Sequence, residues 1–363
     1  MNKKLLSAAV GAAFFAAGSL ASHAATTLYG HMHLSWDKLD NDATTNPVDR
    51  SFISSNSTRI GVKGDEDLGG GLKAIWQIET GALGVDEATN GFGGDLRNSF
   101  VGFSNSGWGT VKIGRHDTPF KDLGRRLDNF NEQVGDARNM FGMGTFDKRP
   151  KNMVRYESPT FGGMNFSALQ SSNDGDETTA GTQSVTSLGA NWTAGPLFVG
   201  AAYETHSTGL GATAGTEDKE KGIRLAASYA MGDLVLGVMY EMLNDIAGAS
   251  DVDQNTYGLF GSFKMGNNKL KAHWINADDA DCPSTIICTA TGATMIAIGV
   301  DHAMSKTVTT YLNYAQVDND ADTTLGTGSL RGVVSGNGGH GEVVTVPVGR
   351  DPTGLSVGVI MKF

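Results

Sequence analysis

Segments of about ten residues that carry an apolar side chain at every second position recur through this chain, and that period limits its architecture more than any other feature. Between Lys221 and Met231, the residues Ile223, Leu225, Ala227, Tyr229 and Met231 share one parity, while Arg224, Ala226 and Ser228 hold the other. Leu234, Leu236, Val238, Tyr240 and Met242 repeat the pattern with Glu241 opposite. Tyr257, Leu259, Gly261, Phe263 and Met265 do so against Ser262 and Lys264. On a helix these residues would scatter round the axis; on a strand they make one apolar and one polar face. Sixteen such strands are expected, with starts near Thr27, Ser57, Leu72, Leu96, Gly109, Met153, Met164, Val185, Leu197, Gly222, Leu234, Asn255, Lys269, Thr294, Lys306 and Thr353. Their connections alternate in length. Short ones carry turn chemistry, as in Asp67-Leu68-Gly69-Gly70 and Met231-Gly232-Asp233, and long ones are polar.

The beginning of the chain places it outside the cytoplasm. Lys3 and Lys4 precede an apolar or small run from Leu5 to Leu20, and Ser22-His23-Ala24 sets small residues where a signal peptidase cuts. Residues 1–24 therefore read as a cleaved export signal and 25–363 as one domain. No later stretch offers the roughly 18 consecutive apolar residues of a spanning helix. A membrane entered without such a helix is entered as a closed barrel. Composition agrees: only 39% of residues are hydrophobic, as expected when every second side chain faces a polar lumen. The 50 glycines and 8 prolines show no G-X-Y period, which excludes collagen. A net charge of −11, which falls to −13 without the two lysines of the signal, argues against nucleic acid as a partner. Trp36, Trp76, Trp192, Tyr203, Tyr229, Tyr240 and Tyr257 fall at positions suited to the aromatic girdles of an outer-membrane barrel.

Three stretches resemble the general porins of the Gram-negative outer membrane, in the neisserial and comamonad branch. They are Ser55-Asn56-Ser57-Thr58-Arg59-Ile60-Gly61-Val62-Lys63-Gly64, then Arg97-Asn98-Ser99-Phe100-Val101-Gly102-Phe103 with Gly109 to Arg115, and Val154-Arg155-Tyr156-Glu157-Ser158-Pro159. Leu355, Val357, Val359, Met361 and the terminal Phe363 share a face of the last strand, and Phe363 resembles the family's assembly signal. The resemblance implies an all-β fold, a 16-stranded antiparallel transmembrane β-barrel with short periplasmic turns and long external loops. It implies a homotrimer in outer-membrane lipid and lipopolysaccharide, placed there by the barrel assembly machinery. It also implies a water-filled channel for passive diffusion of ions and small hydrophilic solutes, without cofactor or enzymatic activity. Leu28, Gly30, Met32 and Val357 would offer small to medium contacts to a neighbouring barrel.

In such porins the third long loop folds inward and narrows the pore. Here it would span residues 116–152, too long for an ordinary hairpin connection. It carries Asp117, Asp122, Asp128, Glu132, Asp136 and Asp147 against Lys121, Arg125, Arg126, Arg138, Lys148, Arg149 and Lys151. The resemblance assigns Arg59, Arg97 and Arg149 to a basic ladder facing that loop, with a structural or surface role as the alternative, and Lys63 joins them as a wall candidate by parity. Parity turns Arg59 and Lys63 away from Ile60 and Val62, leaves Arg97 ambiguous, and sets Arg115 at a strand-to-loop junction where it would fix the loop by a salt bridge. The narrow zone is then net positive and a modest preference for anions is expected, the alternative being that several bases pair with loop acids and leave almost no preference.

Other patterns are weaker. Gly354-Leu355-Ser356-Val357-Gly358 has the hydrolase spacing but no following helix, so no catalysis is expected. His31 and His33 share a strand face and lack an indicated third ligand, so no metal site is expected. Cys282 and Cys288 lie in one loop of an exported chain, which predicts a local disulfide. A secreted all-β enzyme or adhesin is the competing class, and no nucleophile or acid/base set supports it.

Overall fold

The computed structural model describes residues 25–44, 47–81, 84–85, 96–142, 146–172, 184–207, 220–246, 249–283, 288, 290–322, 327–328, 330–334 and 340–363. The expected export signal at 1–24 lies outside the described residues. Strand β1 (Ala25–Asp40) pairs over its second half with β2 (Asp49–Ser55) and over its first half with β3 (Arg59–Gly69). Next come β4 (Leu72–Thr80), β5 (Ser99–Asn105), β6 (Gly109–Arg115), β7 (Met153–Glu157) and β8 (Met164–Ser171). The far wall is β9 (Val185–Ala194), β10 (Leu197–His206), β11 (Lys221–Met231), β12 (Leu234–Asn244) and β13 (Gln254–Met265). Then follow β14 (Asn268–Ala277), β15 (Ala293–Ala303) and β16 (Val308–Asn319). After a small ribbon of β17 (Ala321–Asp322) and β18 (Thr327–Gly328), β19 (Thr353–Lys362) returns to β1.

All pairings are antiparallel, and the ladder from His31↔Lys362 to Asp40↔Thr353 closes the sheet on itself. Strands β2 and β3 are two halves of one barrel strand, so the barrel has sixteen. The expected start at Ser57 therefore misses the outer half of that strand. The break has a local cause: Ser57 adopts φ 52°, and the Asn56 N–H crosses to the His33 carbonyl at 2.8 Å. One extra residue is accommodated there between the Leu34↔Ser55 and His31↔Arg59 pairs, as in a β-bulge. The fourth barrel strand begins at Ser99, and Leu96 makes only an isolated bridge to Thr80. Strands β5 to β8 are shorter than the ten residues expected, because the long loop between β6 and β7 turns inward early.

Burial follows the period of two but is inverted with respect to a water-soluble protein. In β11 exposed Ile223 and Leu225 alternate with buried Arg224 and Ala226. Val101 is 62% exposed and Ile113 57%, while Arg224 is fully buried. A wall that shows aliphatic side chains outward and buries its charges is stable only in hydrocarbon. Cys282 and Cys288 are joined by a disulfide in the loop between β14 and β15, with Cα atoms 6.0 Å apart.

Candidate functional site: the constriction

The loop between β6 and β7 enters the barrel and lies against the far wall. Its helix α1 (Pro119–Arg125) starts with proline, and the Thr118 side chain accepts the Lys121 N–H at 3.2 Å. The apolar residues of the loop, among them Phe120, Leu123, Phe130, Val134, Phe141 and Phe146, are buried there. The wall makes room with small inward-facing residues. A Cβ at Gly222 would stand 2.7 Å from the Phe146 ring, and one at Gly189 2.9 Å from Pro119. Arg224 clasps the loop: its Nη1 lies 2.8 Å from Asp147 Oδ1 and donates to the Phe120 carbonyl, while Nη2 pairs with Glu241. The last long loop also reaches inward, which the sequence did not indicate. Arg331 donates to the Met140 carbonyl and to Gln254 Oε1, and the Val333 carbonyl accepts the Gly135 N–H at 2.9 Å.

With the far wall covered, charge collects on the near one. Arg59 Nη1 lies 2.8 Å from Glu132 Oε1. Arg97 spans Glu79 Oε1 at 2.7 Å and Glu132 Oε1 at 3.3 Å. Asn98 links this group to the next by donating to Asp117 Oδ2 and accepting from Arg149 Nε. Around buried Asp117 stand Lys121 at 3.4 Å, Arg125 at 2.9 Å and Arg149 at 3.0 Å. Arg155 then meets Asp122 at 2.7 Å and Glu157 at 2.9 Å, and Lys112 meets Glu157 at 2.8 Å. Seven bases thus face five acids, leaving two positive charges in excess.

The site residues expected from sequence are not all brought together. Arg59 and Arg97 stand at the near wall, and Arg149 sits on the returning limb of the loop itself. Lys63 faces the lumen with its ammonium 5.1 Å from the Tyr29 ring centre. Asp117, Asp122 and Glu132 meet bases. Asp128 and Asp136 do not oppose the wall arginines: they fold the loop. Asp128 accepts the Phe130 and Ala137 N–H groups, and Asp136 accepts those of Glu132 and Arg138 and pairs with the Arg138 guanidinium at 2.6 Å. Arg115 makes no ion pair among the described residues, so its expected salt bridge to the loop is not formed; its parity is that of outward-facing Ile113. Sequence reasoning missed Glu79, Lys112 and Arg155. Parity could have found the two bases, since Lys112 alternates with Val111 and Ile113, and Arg155 with Val154 and Tyr156.

Burial raises the Glu132 carboxyl, but Arg59, Arg97 and Arg125 outweigh it and hold the group at about 2. Burial likewise opposes ionisation of Asp117, yet Lys121, Arg125 and Arg149 keep it well below the usual carboxylate range. Lys121 goes the other way: burial brings its ammonium down to about 8 despite Asp117. Its charge is present at pH 7 and lost as pH rises through about 8. The reversal potential in a salt gradient is therefore expected to move toward cations between pH 7 and pH 9. Lys121→Gln should abolish that movement; a variant that keeps it assigns the titration elsewhere.

Ser356 of the hydrolase-like pattern donates to Asp37 Oδ1 at 2.5 Å, and His340 Nε2 stands 3.2 Å from the same carboxylate. The acid lies between serine and histidine, so no base faces the hydroxyl as nucleophilic catalysis requires.

The model of the Gram-negative porin family matches residues 7–322. The chain belongs to the Gram-negative porins. It is 29% identical to outer membrane porin protein 32 of Delftia acidovorans over the full length of both chains. Among solved structures, in-vitro folded OmpT of Vibrio cholerae superposes with a TM-score of 0.69 at 17% identity, covering 96% of this chain and all of that one. A trimer form of OmpT gives 0.64 at 17% identity, covering 94% of this chain and all of that one. The protein is thus an outer-membrane porin of a Gram-negative bacterium, and its barrel encloses the constriction described above.

Proposed function

We propose that this porin passes small hydrophilic solutes and ions by passive diffusion, prefers anions modestly, and works as a homotrimer. The observation that carries the preference is the excess of bases at the constriction, against a chain that is acidic overall. Permeability is decided where the path is narrowest, because charges lie within a Debye length of the passing ion there, whereas outer loops are screened. The acids on the inward loop hold the arginines in place, and the partial pairing keeps the preference modest. An anion passing Arg59, Arg97, Arg125 and Arg149 exchanges hydration for guanidinium donors at several successive points, none strong enough to trap it.

Trimer formation is supported by the trimer form of OmpT and by the outward faces of β1 and β19, where Leu28, Met32 and Val357 are exposed. Gly30 shares their parity, but the Phe363 ring covers it, so it offers no contact to a neighbouring barrel. For selectivity, the double variant Arg59→Gln with Arg149→Gln is expected to shift the zero-current potential toward cations in planar bilayers. An unchanged permeability ratio would remove both arginines from the selectivity filter.

A further inference from the structure

The lumen-facing side of β1 carries His31 and His33, two residues apart, so both rings leave the strand on one face. On the sequence alone this pair has no third ligand. The inward loop supplies one. Glu132 brings a carboxylate oxygen to the two rings, and one donor atom from each of the three residues lies within 4.8 Å of the others.

We propose that His31, His33 and Glu132 bind a divalent transition-metal ion of borderline hardness, Zn²⁺ or Ni²⁺, and that the bound ion fastens the inward loop to the barrel wall. Two imidazole nitrogens and one carboxylate oxygen suit such ions, whereas Mg²⁺ and Ca²⁺ require oxygen shells that this site does not offer. His31 Nε2 already stands 3.8 Å from Glu132 Oε2. Metal–donor bonds of about 2.0–2.2 Å need donors roughly 3.4 Å apart, so the two imidazoles and the Glu132 carboxylate must all draw together from separations that lie within 4.8 Å.

The partners of each donor permit that closure. Arg59 and Arg97 both take Oε1 of Glu132, which leaves Oε2 turned to His31. His31 Nε2 would exchange the Ser57 carbonyl, now 3.1 Å away, for the ion, and that carbonyl keeps a contact to Arg59 Nη1 at 3.4 Å. Tyr311 stands with its hydroxyl 2.9 Å from His33 Nε2 and orients the ring, as outer partners do in metal sites. Glu79 and Glu132 offset Arg59 and Arg97, which leaves Arg125 as the nearby positive charge that an incoming ion must overcome. His33 and Glu132 are almost fully buried, which shields the bonds from water, and the neighbouring Arg59 side chain is part-exposed.

Untagged, detergent-solubilised protein would be dialysed against micromolar Ni²⁺ or Zn²⁺ with millimolar Mg²⁺ present, and bound metal counted per subunit. One ion per subunit is expected, weakened about tenfold or more in His31→Gln, His33→Asn and Glu132→Gln, and unchanged in His302→Gln. Cu²⁺ used as a spectroscopic probe should show coupling to two nitrogens, reduced to one in either histidine variant. Native heat-modifiable migration would verify folding, and the loop variant Glu132→Gln decides the matter if a wall variant fails to fold. No uptake by the parent at micromolar metal would overturn the proposal. So would one ion per subunit bound equally well by all three ligand variants.

Discussion

Arg224→Met is expected to unseat the inward loop and to lower the stability of the barrel by about 3–5 kcal/mol, the range for breaking a buried ion pair. The guanidinium is wholly buried and serves three partners at once: Asp147 of the loop, Glu241 of the neighbouring strand, and the carbonyl of Phe120, whose ring lies 4.1 Å from the guanidinium carbon. Methionine fills much of the volume but leaves two carboxylates in one dry pocket. The expected readouts are a larger and noisier single-channel step and a lower unfolding midpoint.

The pH dependence should change sign. In the parent protein, burial raises Asp147, but Arg224 outweighs burial and leaves the carboxyl below its ordinary value. A depressed folded-state pKa stabilises above the unfolded value and is lost as pH falls through the folded one. Without Arg224 only Lys121 and Arg138 still oppose burial, so the folded value is expected to rise above the unfolded one, and the penalty grows as pH climbs past the ordinary carboxylate range. The deficit of Arg224→Met should therefore be greatest near neutrality and shrink toward pH 4. A variant with parental conductance and midpoint would show that the loop is held by its apolar residues alone.

The second large effect is expected at the seam between the first and last strands. Phe363 exchanges two backbone hydrogen bonds with Gly30, at 3.0 and 3.1 Å, and its ring lies across the same glycine. A Cβ at Gly30 would stand 2.4 Å from the Arg59 carbonyl oxygen and 2.7 Å from the ring. The carbonyl belongs to a paired strand and cannot withdraw without opening the ladder between β1 and β3. Gly30→Val is thus expected to abolish the heat-resistant barrel in refolding assays. Phe363→Ser discriminates packing from recognition. The ring is 57% exposed, so its removal costs little burial. A large fall in outer-membrane yield together with near-normal refolding in detergent would place the role of Phe363 in assembly. Equal losses in both assays would make it a packing residue.

The sixteen strands are legible in the chain because their signal is local. Alternation is a property of ten neighbouring residues, and it sets most strand starts within a residue or two, from Leu72 and Gly109 to Thr353. It also turns Arg224 and Glu241 to the face opposite Ile223 and Tyr240, which is the lumen side. The same local reading could not place the break at Asn56–Thr58, which depends on a hydrogen bond to His33 on another strand.

What alternation cannot report is which inward-facing residues meet. Asp117 and Asp128 look alike in the loop sequence, yet one gathers three bases while the other folds its own backbone. That division depends on where the loop comes to rest, and its resting place is set by the fit of Phe120, Leu123 and Phe146 against glycines of β10 and β11, far away in sequence. Likewise Glu132 reaches His31 only because a loop one hundred residues along the chain crosses the lumen. The sequence by itself determined the barrel, its location and the parity of each wall residue, because strand periodicity acts over a few residues and lipid enforces it uniformly. Only the tertiary structure decided which charges pair across the lumen and which remain in excess, because pairing is a matter of ångströms between segments brought together by packing.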